Sequence, residues 1–143
     1  MNLGHLWIAR GRESGMFVLL EHTVPAARSA TASSVHWDFL VEVAGLDRLP
    51  TWRLARDPRF DTGAIPAQRT ADHRRVYLNF EGPLSDNRGS VRRLDRGDAV
   101  IRHLAGAELR VDLRGAQLRG RFEVVLRDVG ELVFRRDVAA FGE

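Results

Sequence analysis

Between Ser34 and Val43 the side chains alternate without a break. Val35, Trp37, Phe39, Val41 and Val43 take one set of positions, and His36, Asp38, Leu40 and Glu42 take the other. Successive side chains of a β-strand point to opposite faces, so a period of two marks a half-buried strand. The aromatic and β-branched set is expected to face a core. The opposite face then carries His36 and Asp38 side by side, with Cα atoms about 7 Å apart from twice the strand rise. An imidazole and a carboxylate leaving adjacent pleats on one face can converge on a single divalent cation.

The rest of the chain repeats this strand-and-turn rhythm. Leu6-Trp7-Ile8 can open a first strand, and Met16–Glu21 reads as a strand apolar enough to be buried on both faces, delivering His22 at its end. Thr23–Ser33, rich in Ala, Ser and Thr, reads as a loop or short helix, and Ala44-Gly45-Leu46-Asp47 as a turn. Thr51–Leu54 and Arg75–Phe80 are further strand candidates, joined by a surface connection over Asp57–Arg69 that holds Pro58, Gly63 and Pro66. Asn87-Arg88-Gly89 and Asp95-Arg96-Gly97-Asp98 read as turns flanking Ser90–Leu94. Ala99–Leu104, Glu108–Leu113, Phe122–Leu126 and Glu131–Arg135 follow, separated by glycine-containing turns. Short strands at regular intervals with little helical periodicity predict a mostly-β protein, a barrel or sandwich of about eight or nine strands with short peripheral helices or loops. With no internal repeat and no long linker, residues 1–143 are expected to form one domain, with 1–15 a peripheral segment.

Composition narrows the chemistry. There is no cysteine, so neither a disulfide framework nor a thiolate site is available, and any metal must be held by histidine and carboxylate. All 22 basic residues are arginine. GC-rich codon usage is the simplest account, but the absence of lysine also excludes Schiff-base and lysyl-nucleotide intermediates. The net charge of +3 is too small to indicate nucleic acid by itself, although arginine suits bidentate phosphate contacts. No apolar run approaches the ~18 residues of a membrane span, and no secretory signal opens the chain, so a cytoplasmic location is expected.

Among the five histidines, His5 and His103 read as structural or solvated. His22 can join His36 and Asp38 as a third ligand. Two imidazoles and a carboxylate with open positions form a catalytic type of coordination that suits Mn²⁺, Fe²⁺ or Zn²⁺ alike. The stretch Asp72-His73-Arg74-Arg75-Val76-Tyr77 gathers an imidazole, guanidinium groups and a phenol. It reads as either a basic loop or an anion site in which His73 and an arginine bind phosphate while Tyr77 orients or donates.

These residues follow one another in an order similar to one known family. His22, then Val35-His36-Trp37-Asp38-Phe39-Leu40-Val41-Glu42, Thr51-Trp52, Asp72-His73 with Tyr77, and Phe80-Glu81-Gly82 are followed by Gly89-Ser90-Val91 and Leu94-Asp95-Arg96-Gly97. Leu109–Gly115 and Leu118-Arg119-Gly120-Arg121-Phe122 close the series. The succession, from about Phe17 to Leu126, resembles the 3′-phosphoesterase domain of bacterial DNA ligase D and its stand-alone relatives. The resemblance implies a small β-barrel and a manganese-dependent enzyme of DNA repair that trims 3′ ends, removing a 3′-phosphate or a 3′-ribonucleoside from a primer–template. His22, His36 and Asp38 carry over as metal ligands, with Mn²⁺ or another divalent transition ion as cofactor. His73 and Tyr77 carry over to the phosphate-binding and catalytic side. Where the resemblance leads one to expect an arginine two residues beyond the aspartate, this chain has Leu40, and Arg56 or Arg53 is expected to contact the phosphate instead. The partners implied are DNA 3′ ends and a separate ligase or polymerase, with no membrane.

Two other classes fit some of the same residues. A catalytically inactive relative that binds nucleic acid or protein accommodates Leu40. A 2-His-1-carboxylate iron oxygenase would combine His36-x-Asp38 with distant His103 and Arg114, and would turn over 2-oxoglutarate.

Overall fold

Period-two patterning gives strands throughout, and the computed structural model describes residues 13–26 and 34–137. The described strands are β1 (Glu13–Val24), β2 (Ser34–Val41), β3 (Arg48–Leu54), β4 (Ile65–Arg74), β5 (Gly82–Pro83), β6 (Ser90–Ala105), β7 (Glu108–Gly115), β8 (Arg119–Arg127) and β9 (Glu131–Arg136). They pair antiparallel in the order β1-β2-β3-β4-β9-β8-β7-β6, and β1 pairs again with β6 to close an eight-stranded barrel. The short β5 adds to β6 outside the ring. Helical structure among the described residues amounts to short 3-10 turns, and none of it is long and apolar enough to cross a membrane. The expected mostly-β barrel is therefore the architecture. The Leu6–Ile8 strand, His5 and most of the Thr23–Ser33 loop lie outside the described residues.

The barrel interior is filled by Phe17, Leu19, Phe39, Val41, Trp52, Leu54 and Ile101, with Phe122 and Phe134 stacked on one another. Trp52 is fully buried, and its indole N–H donates to the Ala107 carbonyl at 2.8 Å. The opposite face of β1–β3 is apolar as well. Val18, Leu20, Leu40, Leu49, Leu78 and Val91 form a second cluster, with Tyr77, Phe80 and Leu84 packed against it. This accounts for the double-sided apolar character of β1.

The second cluster corrects several expectations. Leu40 stands on the same face as His36 and Asp38, yet it is wholly buried. Arg75–Phe80 does not form a strand; Arg75–Leu78 is a 3-10 turn that lays Leu78 and Tyr77 over the outer face of the sheet. The strand lies before it, as β4, and it takes up Ile65–Arg69 from the expected surface connection. Pro66 is tolerated there because it sits at the strand's start. The remaining connection is braced by Asp57, which accepts from the Arg59 backbone N–H at 3.0 Å, and by Asp61, which accepts from the Gly63 N–H at 2.9 Å. At the other end of the aromatic set, Val35 reaches the rim and is 43% exposed rather than in the core.

Asp95–Asp98 is not a turn either, because β6 runs straight through it. Its polar and glycine residues serve tertiary contacts. A Cβ on Gly97 would collide with the Arg114 carbonyl and come within 2.6 Å of the Gly115 Cα, so this glycine permits close approach of β6 and β7. The Asp95 carboxylate, 4% exposed, collects the backbone N–H groups of Arg96, Ala116, Gln117 and Leu118.

Candidate metal centre

Barrel pairing brings the two histidines of the first strands face to face. His22 on β1 is the direct cross-strand partner of His36 on β2, and Asp38 follows two residues on along the same face. One ligand atom from each of these three lies within 4.8 Å of the others. His22 Nδ1 is 2.9 Å from His36 Nε2, and His36 Nε2 is 3.6 Å from Asp38 Oδ2. Since a carbonyl only accepts, His22 Nε2–H donates to the Arg88 carbonyl at 2.9 Å. That bond fixes the tautomer and leaves the Nδ1 lone pair aimed into the cluster, the arrangement used to orient metal-binding imidazoles.

The electrostatics agree with a ligand set. Burial pulls the His22 pKa below its ordinary value against the bond to Arg88, so the neutral, ligating ring is favoured. Burial works the other way on Asp38, raising its pKa, but the neighbouring His36, His73 and Arg53 outweigh it and hold the carboxyl below the usual range. Asp38 is thus an ionised side chain at 3% exposure. Its Oδ1 is buried with no hydrogen-bond partner among the described residues. Arg53 Nε stands 3.7 Å away, beyond hydrogen-bond reach. With only the Arg53 charge near Oδ1 and the His36 and His73 rings near Oδ2, a buried carboxylate gains from a further positive group bound to it. The three residues therefore fit a divalent cation.

A second group of residues borders the cluster. His73, near the end of β4, donates from Nδ1 to the Ala71 carbonyl at 3.2 Å and sets Nε2 3.9 Å from Asp38 Oδ2. Tyr77, on the 3-10 turn, packs edge-on against the His73 ring with centroids 5.4 Å apart. Arg53 sits opposite Asp38 in the β2–β3 register. His22, His36, Asp38, Arg53, His73 and Tyr77 are thus brought to one place. Arg56 is not, since its guanidinium is held in the β3–β4 connection by Asp61 and by the Ala64 carbonyl at 2.9 Å. His103 is elsewhere too, lining a cavity with Glu108 and Asp137, so it does not complete a triad with His36 and Asp38. Arg114 faces Arg119 across β7 and β8.

Sequence reasoning missed the support behind His22. Asp86 and Asn87 adopt left-handed φ angles of 59° and 54°, and Gly89 one of 98°. A Cβ on Gly89 would collide with the Thr23 carbonyl and stand 3.2 Å from Pro25 Cδ. Glycine is therefore what lets the Arg88 carbonyl come close enough to hold His22. The signal available in the sequence, Asn87-Arg88-Gly89, indicated a turn but not its target.

No curated protein sequence matches this chain. A family model described as the DNA Ligase D 3′-phosphoesterase domain matches residues 28–126, a span that includes His36, Asp38, Arg53, His73 and Tyr77 and begins after His22. With more than half of the 143 residues matched on a closed antiparallel barrel, the chain belongs to the DNA ligase D 3′-phosphoesterase domain family.

Proposed function

We propose that this chain is a metal-dependent phosphoesterase that processes DNA 3′ ends in repair, removing a 3′-phosphate or a 3′-terminal ribonucleoside. The observation that carries it is the cluster of His22, His36 and the buried Asp38, one ligand atom from each within 4.8 Å of the others, with a His–Tyr pair and a guanidinium on its border. His22, His36 and Asp38 would hold the ion, Mn²⁺ first among the divalent transition metals. When bound, such an ion offsets charge developing on a phosphate oxygen.

The other steps belong to side chains. Arg53 binds non-bridging phosphate oxygens through its planar guanidinium, in place of an arginine at position 40. His73, held by its Nδ1–H bond to the Ala71 carbonyl, would act as the imidazolium, giving its Nε2 proton to the leaving oxygen as the P–O bond breaks, and the proton released by the water that adds to phosphorus restores it. Tyr77 keeps the His73 ring from rotating. The natural partner is a DNA primer–template end, and a separate ligase or polymerase acts on the trimmed product, since a segment without lysine cannot form a lysyl-adenylate.

The test is release of 3′-phosphate or 3′-ribonucleoside from a labelled primer–template, with Mn²⁺ or with EDTA, for wild type and His36→Ala. Metal-dependent release that disappears in the variant is the expected result. A fully active His36→Ala would sink the ligand assignment. A second function, DNA binding without turnover, draws on the burial of Leu40, which leaves no room for a cation at that place. Wild-type protein that binds the primer–template but releases nothing from either end would favour it.

A further inference from the structure

The outer face of β2–β4 carries a straight row of cross-strand partners leading away from the metal centre. Asp38 lies opposite Arg53, and Arg53 lies opposite Gln68. Neighbouring strands are about 4.8 Å apart, so the row runs about 10 Å from carboxylate to amide. Beside it opens a cavity of about 380 Å³ whose apolar side chains are Val35, the exposed Ala55 and Pro66, while Leu54 and Ala67 border it from strand positions that face the barrel interior. His36, Arg53 and Gln68 contribute its polar groups, and no carboxylate lines it among the described residues. Because His36 and Arg53 belong to both places, cavity and centre form one continuous site. Gln68 is exposed, and its side-chain amide makes no hydrogen bond among the described residues. The exposed Val35 at the lip is apolar surface that an occupant would cover.

We propose that this cavity seats the terminal nucleoside of a DNA 3′ end, with the flat faces of its base against the apolar walls and its polar edge hydrogen-bonded to the Gln68 amide. The inference rests on the phosphoesterase function proposed above, and it assigns the leaving side of the scissile phosphate. The chemistry of the row matches that occupant in order: metal ligand, phosphate-binding guanidinium, then a neutral amide that both donates and accepts. A 3′-phosphate end has nothing to place there. Ala55 and Gln68 are thereby specificity-determining, favouring nucleoside-bearing ends over bare phosphates.

The experiment compares two oligonucleotides of the same sequence, one ending in a 3′-phosphate and one with a ribonucleoside esterified beyond that phosphate. Binding to the whole chain in EDTA is measured by fluorescence anisotropy for wild type, Ala55→Phe and Gln68→Ala. The phosphate-ended strand carries the greater negative charge, so charge alone favours it. Wild type is expected to prefer the nucleoside-bearing strand at least tenfold. Ala55→Phe, which puts a ring into the cavity from an exposed position, should abolish the preference, and Gln68→Ala, a surface change, should reduce it several-fold. Equal affinities in wild type, or a preference kept within twofold in both variants, would overturn the assignment. If Ala55→Phe does not fold, the Gln68→Ala result decides. Turnover of the same pair with Mn²⁺ separates the two claims. A nucleoside preference without turnover on either strand removes the phosphoesterase function and keeps the cavity; turnover without a preference does the reverse.

Discussion

Replacing Asp95 by Asn changes one atom of a side chain that four backbone N–H groups converge on. Oδ1 accepts from Arg96 and Ala116 at 2.8 Å each. Oδ2 accepts from Gln117 at 3.1 Å and from Leu118 at 2.7 Å. An amide keeps one acceptor, so its NH₂ must face two donors that the carboxylate oxygen had satisfied. The side chain cannot swing aside, because it packs directly on the Gly115 backbone. An unsatisfied donor costs about 1–3 kcal/mol when buried. Two of them, with partial solvent access at the exposed Ala116 and Gln117, bring the expected loss to about 2–4 kcal/mol. For a chain of this size that corresponds to about 6–12 °C in Tm. Urea unfolding of wild type and Asp95→Asn should therefore show a lower midpoint with an unchanged slope. A loss under about 1 kcal/mol would mean that the carboxylate does not carry the β7–β8 turn, and the bonding account would be wrong.

Three further outcomes follow from packing and from the centre. Leu40→Ala empties a fully buried position in the second cluster and should cost about 2–5 kcal/mol by denaturant titration; a change under 1 kcal/mol would show that the 3-10 turn collapses freely onto the gap. Gly89→Ala should push the Arg88 carbonyl off His22 and weaken Mn²⁺ binding about 10–100-fold by calorimetry, as loss of an outer partner of a metal ligand does. Unaltered affinity would dismiss the role given to that carbonyl. At 100 times its dissociation constant, Mn²⁺ should stabilise the wild-type fold by about 2.7 kcal/mol, and the rise in Tm should vanish in Asp38→Asn. An equal rise in both proteins would place the ion elsewhere.

The part of the fold carried by uninterrupted alternation was legible in the sequence. His36 and Asp38 share a face because a pleat allows nothing else, and β7, β8 and β9 fall where the pattern places them. Legibility failed where residues answer to distant neighbours. Arg75–Phe80 alternates like a strand, but Tyr77, Leu78 and Phe80 satisfy their apolar character by covering β1 and β2, which only the closed barrel supplies. Asp95 and Gly97 carry turn chemistry, yet one is a buried acceptor and the other a point of strand contact. At the centre, histidine and carboxylate types were readable. The cross-strand match of His22 with His36, the hold of Arg88 and the withdrawal of Arg56 into its own loop depend on register and loop geometry that no local pattern encodes.

The seam between β1 and β6 has a consequence for how the molecule comes into being. Across it Arg92 reaches Glu21, 71 residues away along the chain, so this seam gathers at the greatest loop-closure cost and belongs late in folding. Until it forms, β1 is an apolar ribbon with an open edge. His22 rides on that ribbon, and its anchoring carbonyl arrives with the segment leading into β6. The ligands meet on the β1–β2 pair, but the ligand set with its anchor in place exists only in a finished barrel. An ion that binds it acts as a latch on the slowest joint of the fold and would slow unfolding more than it hastens folding.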